Sequence, residues 1–165
     1  MTLTKRSLRR DDLLEAQLRE FGCGALQRDI DVIDFFRTAE TIEKVEAQEV
    51  QAWLYFDADG NLVAVSSLAK TSWHYPKVND PSVPIQIIPN LAVSGQHQGN
   101  GYSKMVLDDT IFEALKLAEE SDMLALFVHV ENEIAIKLYL SRGFQPFGKP
   151  MKRTDGRYQR MILLL

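Results

Sequence analysis

Cysteine is almost absent from this chain. Cys23 is the only one in 165 residues, so no intramolecular disulfide can form, and a reducing compartment suits the protein. Histidine is nearly as scarce. His74, His97 and His129 lie far apart in sequence, and neither they nor the cysteine has the spacing of a ligand set, so no metal site is expected. No apolar run approaches the length that spans a bilayer, and the most apolar stretch, Met161–Leu165, has the pattern of a closing strand. No leader-like segment is evident at the start. The expectation is a cytoplasmic protein with no membrane partner. Basic charge is in deficit too, with 19 Lys and Arg against 23 Asp and Glu and a net charge of −4. That balance counts against a broad nucleic-acid-binding surface.

With 45% hydrophobic and 25% charged residues, the composition is globular. The length suits one domain, residues 1–165, with a substantial core. No linker, repeat or low-complexity block interrupts it. Thr2–Leu8 reads as a first strand, and Asp11–Phe21 as a weak helix through Leu14, Leu18 and Phe21. A single helix is expected from Ile30 to about Ala47, on Ile30, Ile33, Phe36 and Val45. Gln51–Phe56 and Leu62–Leu68 are strands joined by the turn Asp57–Asn61, and Thr71–Pro84 reads as a loop. Ile85–Val93 is a strand interrupted at Pro89, which argues for a bulge. Tyr102–Glu120 is the strongest helix, with Leu107, Ile111, Ala114, Leu115 and Ala118 as its apolar stripe. Phe144–Phe147 and Tyr158–Leu165 form a closing pair of strands turning near Asp155-Gly156. Strands interleaved with helices indicate α/β layering around one mixed sheet.

The most informative stretch is Asn90–Lys104. An apolar strand ends at Val93, the turn Gln96-His97-Gln98-Gly99-Asn100-Gly101 follows, and the helix opens at once. Unpaired amides and the positive end of the helix dipole converge at such a junction, so it suits a phosphate or pyrophosphate. The spacing Gln-x-x-Gly-x-Gly is neither a Walker A loop nor a dinucleotide fingerprint.

A second pattern lies downstream. The buried-strand run Leu124–Val128 is followed by Asn132-x-x-Ala135-x-x-x-Tyr139-x-x-x-Gly143-Phe144. Ile134–Arg142 suits a short helix with Ala135, Leu138 and Tyr139 on one face, and Gly143 is placed as its left-handed stop.

Together the two motifs, in this order, resemble the GCN5-related N-acetyltransferase (GNAT) superfamily over the C-terminal two thirds of the chain. The resemblance implies a GNAT-like mixed β-sheet flanked by helices, in which the strand ending at Val93 and the strand Leu124–Val130 run parallel but splay apart to admit the pantetheine arm. It implies an enzyme that transfers an acetyl group from acetyl-CoA to a primary amine by direct attack in a ternary complex. Cofactor contacts are then expected at Leu91, Ala92, Val93, Gln96, Gln98, Gly99, Asn100, Gly101, Tyr102, Ser103 and Asn132, with Tyr139 as the acid that protonates the leaving thiolate. A phenol near pKa ~10 stays protonated at neutral pH and is matched to a thiol.

Several alternatives stay open from the residues alone. The general base is His129, Glu131 or water, and His129 equally fits a hydrogen-bonded structural role. His97 is expected to be solvated, and Cys23 to be a small buried contact rather than a nucleophile. A non-catalytic acyl-CoA sensor or partner-binding domain is the competing function. Phe21-x-Cys23-Gly24 and Asp34-Phe35-Phe36-x-x-Ala39 are similar to elements of the toxin-type acetyltransferases that modify aminoacyl-tRNA. That similarity adds aminoacyl-tRNA as an acceptor beside small molecules and peptides, and an antitoxin as a partner. Homodimerisation is left open. Two basic groups bear on the choice: Lys5, Arg6, Arg9 and Arg10 at one end, Lys149, Lys152, Arg153, Arg157 and Arg160 at the other. Glu40, Glu43, Glu46 and Glu49 would repel RNA or attract an amine cation.

Overall fold

The computed structural model describes residues 1–73 and 83–165, and His74 and most of the expected loop lie outside them. The chain divides into two compact units, Met1–Leu68 with Asn90–Thr110, and Ala69–Pro89 with Ile111–Leu165.

In the first unit the strands are β1 (Thr4–Ser7), β2 (Val50–Phe56), the first part of β3 (Leu62–Trp73) and β5 (Leu91–Val93). β1 runs antiparallel to β2, β2 neighbours β3, and β5 is antiparallel to β3. The expected helix at Asp11–Phe21 is broken. A 3-10 turn, Arg10–Leu14, precedes α1 (Ala16–Glu20), and Glu15 between them is extended. The 3-10 turn is held by Asp12, which accepts from the Arg9 amide and pairs with Arg6 at 2.7 Å, so Leu14 is left exposed while Leu18 and Phe21 are buried.

The single helix expected over 30–47 is two helices, α2 (Gln27–Phe35) and α3 (Ala39–Glu46). Thr38 is the reason. Its backbone is extended and its Oγ1 accepts from the Thr41 amide at 3.2 Å, which starts a new helix. Ile33 and Phe36 are buried as expected, but Ile30 is exposed. These helices pack Ile33, Phe36 and Ile42 with Leu18, Phe21, Leu54, Val65 and Ala92 into one core. Each of the larger side chains contributes roughly 1.5–3 kcal/mol on burial.

In the second unit the order is β3, β4 (Val83–Ile87), β6 (Met123–His129), β9 (Gly156–Leu164) and β7 (Gln145–Pro146), with β8 (Met151–Arg153) also on β9. The expected loop from Thr71 is therefore corrected at both ends, since β3 continues to Trp73 and β4 begins at Val83. β4 and β6 are parallel through Gln86↔Leu124 and Ile87↔Ala125, whereas β6 and β9 are antiparallel from Met123↔Leu164 to His129↔Tyr158. The closing strand from 144 shrinks to Gln145–Pro146, and the unexpected β8 forms the hairpin with β9.

The bulge inferred from Pro89 is present as a slip of register. β3 pairs Ala69↔Ile87 on one side of it and Ser66↔Leu91 on the other. Ser67 and Leu68 thus face three residues, Ile88–Asn90. Ser67 bridges the irregularity by donating its amide to Asn90 O while its Oγ accepts from Asn90 N.

Helix α4 (Tyr102–Leu115) stops five residues earlier than expected. Tighter i→i+3 bonds from Leu117 to Ala114 and from Ala118 to Leu115 replace helical ones, and the buried Gln86 amide donates to both Ala114 O and Ser121 O at 2.9 Å. Val106, Leu107 and Ala114 are buried, whereas Leu115 of the expected stripe is exposed.

In the first unit a polar network fixes α4 to the sheet. The Tyr55 hydroxyl donates to Asp109 at 2.8 Å and lies 3.1 Å from Ser66 Oγ, to which Thr110 Oγ1 donates at 2.9 Å, and Lys5 pairs with Asp109 at 2.8 Å. Burial, first of all, pushes the Tyr55 phenol far above its ordinary range. Asp109→Ala is expected to destabilise the protein by about 1–2 kcal/mol, because it strips the acceptor from the Tyr55 hydroxyl. Urea unfolding checks this, and an unchanged midpoint rejects the network as a fastening.

Candidate active site

In the first unit the site begins on β5. Asn90 and Ser94 bond to Ser67 and Val63 of the β3 segment, and antiparallel alternation turns every second residue the same way. The amides of Leu91 and Val93 consequently face away from β3. Among the described residues β5 pairs with no other strand, so these two donors are free for a ligand oxygen.

Beyond Ser94 the chain makes a short 3-10 turn, Gly95–His97, and then reaches α4 through Gln98–Gly101. Gly99 has φ +84° and Gly101 φ +80°, a left-handed conformation that strains any residue with a Cβ. Among the described residues no acceptor pairs with the amides of Gly99, Asn100, Gly101, Tyr102 and Ser103. Five successive donors at the N-terminus of a fourteen-residue helix form a ready anion site.

Two of the expected contact residues have structural tasks as well. The Gln98 amide donates to Cys23 O at 2.8 Å and Val93 O at 3.3 Å, and the Asn100 amide donates to His97 O at 3.1 Å. Gln96 is exposed, while Tyr102 is buried with its ring 6.3 Å from that of His97. His97 is therefore half-buried rather than solvated.

Sequence reasoning missed what supports this turn. Gly95 N donates to Gly22 O at 2.7 Å, beside the Gln98 contact to Cys23 O. The Phe21–Gly24 segment thus presents its carbonyls to the turn. Arg37 holds that segment in place by donating to Leu18 O and Phe21 O. Cys23 is half-buried and its Sγ lies 3.5 Å from Asp29 O. Burial pushes its thiol up to about 11, which agrees with a packing role rather than a nucleophilic one. Gly24 is needed because a Cβ there would sit 2.2 Å from an Asp29 carboxylate oxygen.

The second unit carries the other candidates. Asn132 is the N-cap of α5 (Glu133–Ser141), its Oδ1 accepting from the Ala135 amide at 3.2 Å. The cap uses one end of the side-chain amide and leaves its NH2 group available. Tyr139 follows two turns later on the same side of the helix. The helix ends in a Schellman motif: Phe144 N donates to Tyr139 O at 3.1 Å, Gly143 N donates to Leu140 O at 3.1 Å, and Gly143 has φ +88°. The Tyr139 ring packs at a tilt against the buried Phe144 ring, centroids 5.9 Å apart. This motif explains the spacing Tyr139-x-x-x-Gly143-Phe144 and holds the phenol in a defined position. The hydroxyl has no hydrogen-bond partner among the described residues, and burial pushes it up to about 12.

His129 ends β6 almost wholly buried. Its Nδ1 accepts from the Glu131 amide at 3.2 Å, and its ring lies edge-on to Tyr158 with centroids 5.2 Å apart. A Cβ on Gly156 would fall 2.2 Å from His129 Nε2, so the glycine is part of the histidine's socket. Glu131 is exposed, 3.8 Å from the same ring. No group of His, Cys, Asp and Glu among the described residues has a metal-binding arrangement, and no helix among them is long and apolar enough to cross a membrane.

Solved structures share the fold. A bacterial toxin aligns with TM-score 0.74 and 18% identity, covering 99% of this chain and 90% of that one. The AtaT protein complexed with acetyl-methionyl-tRNAfMet aligns with TM-score 0.64 and 18% identity, covering 99% and 95%. A chimera of the spermidine N-acetyltransferase SpeG from Vibrio cholerae aligns with TM-score 0.65 and 17% identity, covering 99% and 96%. No curated protein matches the sequence. The acetyltransferase (GNAT) family model, however, matches residues 11–144, most of the chain and both motifs, and the protein belongs to that family of acetyl-CoA-dependent enzymes.

Proposed function

We propose that the enzyme acetylates a primary amine by direct transfer, with the residues above in the following roles. The row of amides at Gly99–Ser103 that lack an acceptor carries the reading, since it fits a pyrophosphate. Acetyl-CoA supplies the acetyl group as a thioester. The Leu91 and Val93 amides donate to the carbonyl oxygen as negative charge develops on it, a contribution of about 3 kcal/mol per donor. The neutral amine nitrogen bonds to the acetyl carbon as the carbon–sulfur bond breaks. The Tyr139 hydroxyl gives its proton to the departing thiolate and is reprotonated from solvent, and Asn132 uses its free NH2 group to orient the pantetheine arm.

The socket of His129 supports a structural role for it, and water takes the amine proton. An α-amine, with pKa ~8, is neutral often enough to need no dedicated base. A half-buried phenol without a partner among the described residues supports catalysis over a sensor, which has no use for a proton donor. The folds shared with a toxin bound to an acetylated aminoacyl-tRNA and with a spermidine acetyltransferase support a primary amine as acceptor, either carried on RNA or free.

Gly101→Glu combines a Cβ at φ +80° with a negative charge in the anion turn. It is expected to weaken acetyl-CoA about a hundredfold, or ~2.7 kcal/mol, with unfolding little changed. Calorimetry showing unchanged affinity removes the turn from the site.

Tyr139→Phe is expected to lower kcat by about 10²–10⁴ and to change acetyl-CoA affinity little. Thiol-release kinetics with an unaltered kcat reject the acid role. Because an acid works while protonated and the phenol is pushed up to about 12, the wild-type rate should show no alkaline loss through pH ~10. A fall below that pH that the phenylalanine variant abolishes would contradict the raised pKa while leaving the acid role intact, and one that the variant retains belongs to another group.

A further inference from the structure

The net charge of −4 conceals an uneven distribution. Residues 145–165 hold Lys149, Lys152, Arg153, Arg157 and Arg160 against one acid, Asp155. All five cations belong to the β8–β9 hairpin or the turn that leads into it.

Several cations elsewhere are paired. Lys5 pairs with Asp109 at 2.8 Å, Arg6 with Asp12 at 2.7 Å, and Arg10 with Glu46 at 2.8 Å. In the hairpin the reverse holds. Lys152 and Arg157 are direct cross-strand partners, both exposed, and no carboxylate among the described residues pairs with either. Like charges directly opposite one another destabilise a strand pair, and an exposed edge hairpin gains no packing from them in return. Lys149 is likewise exposed, without a carboxylate among the described residues. The acid Asp155 is engaged by the Tyr158 hydroxyl.

The other side of the hairpin interleaves cations with rings. The Arg153 guanidinium lies 4.7 Å from the Phe127 ring and 5.0 Å from Tyr158, and that of Arg160 lies 5.7 Å from Phe127 and 5.8 Å from Phe147. Stacking fixes the plane of the exposed Arg153 guanidinium while leaving N–H edges for an anion, and Arg160, which also donates to Met151 Sδ, closes the other side of the Phe127 ring. Cations on both faces of a ribbon, with aromatic rings between them, suit the phosphate backbone and bases of a single-stranded nucleic acid. An acidic peptide would satisfy the charge but not use the rings.

We infer that the β8–β9 hairpin, through Lys152, Arg157 and the Arg153–Phe127–Arg160 stack, docks the RNA that carries the acceptor amine. The acceptor part of this statement rests on the transferase reading above, whereas the binding surface does not.

The test measures binding of deacylated tRNA to the whole protein across a salt series. Lys152→Gln with Arg157→Gln is expected to weaken binding about tenfold and to reduce the slope of log K against log salt by about 1.5, from ~0.7–0.9 per lost phosphate contact. Lys149→Gln alone should reduce the slope by about half that amount. The Lys116→Gln control, at a cation already paired with Glu113, should change nothing. Acetyl-CoA affinity and thiol release with a free amine should be unaltered in all variants, and KM for aminoacyl-tRNA alone should rise. Absence of tRNA binding by the wild type, or binding that the paired variant leaves intact, overturns the proposal. So does equal affinity for polyglutamate of matched charge. Hairpin-dependent tRNA binding without any acetyl-CoA affinity sustains the surface and instead refutes the transferase reading.

Discussion

The site depends on one surplus residue in the sheet. Where β3 runs past Ser67 and Leu68, its neighbour spends three residues, Ile88–Asn90, and the register on the two sides differs by one. Since strand residues alternate with a period of two, a one-residue slip reverses which groups point which way. Before the slip the neighbouring strand is β4, paired on both edges with β3 and β6. After it the strand is β5, paired with β3 alone among the described residues. A regular ladder would have spent the Leu91 and Val93 amides on a neighbour. Pro89 fits here because the position it occupies has no ladder bond to lose.

From that strand the chain has to reach a helix within a few residues, and glycine makes this affordable. Positive φ at Gly99 and Gly101 keeps five amides from finding internal acceptors. The cost of leaving them unpaired is reduced by their exposure to water and recovered when an anion displaces it. The other end of the chemistry uses the opposite terminus of a helix. At α5 the left-handed Gly143 closes the helix, satisfies its last carbonyls and brings Phe144 against Tyr139. The same device that ends the helix therefore fixes the proposed acid, and desolvation raises its pKa further above neutrality.

These two features were legible in the sequence because each is local: a glycine at a fixed offset from a strand or helix end dictates the backbone conformation there. Asn132, Tyr139, Gly143 and Phe144 fall within one helix and its cap, and Pro89 marks its own bulge. What was not legible is contact between distant segments. Nothing near Phe21–Gly24 announces that its carbonyls receive Gly95 N and the Gln98 amide, because backbone carbonyls have no signature in sequence. The pairing of Gly156 with His129 is similar, since a glycine beside a turn has a sufficient local explanation. The break between α2 and α3 is a different kind of miss. Thr38 followed by an acidic first turn is a cap signal, but apolar residues recurring on either side of it favoured one continuous helix. At the end of α4 a nonlocal side chain, Gln86, donates to the Ala114 carbonyl, and periodicity alone has no access to that.

Charge shows the same limit of bulk description. Counting residues, the chain is acidic and looks unsuited to a polyanion. Counting partners, several acids of the first unit serve cations, as Asp109, Asp12 and Glu46 do for Lys5, Arg6 and Arg10. Pairs of this kind are nearly silent beyond a Debye length of about 10 Å, so they add little to the field a ligand meets. The field at the β8–β9 hairpin is set by Lys149, Lys152 and Arg157, which no such pairing offsets. Net charge therefore argues about solubility, whereas the location of unpaired charge argues about partners. An enzyme with a cationic C-terminal hairpin can remain acidic overall and still present one restricted surface to a nucleic acid. Such a surface would orient an amine borne on RNA without making the whole protein an RNA binder.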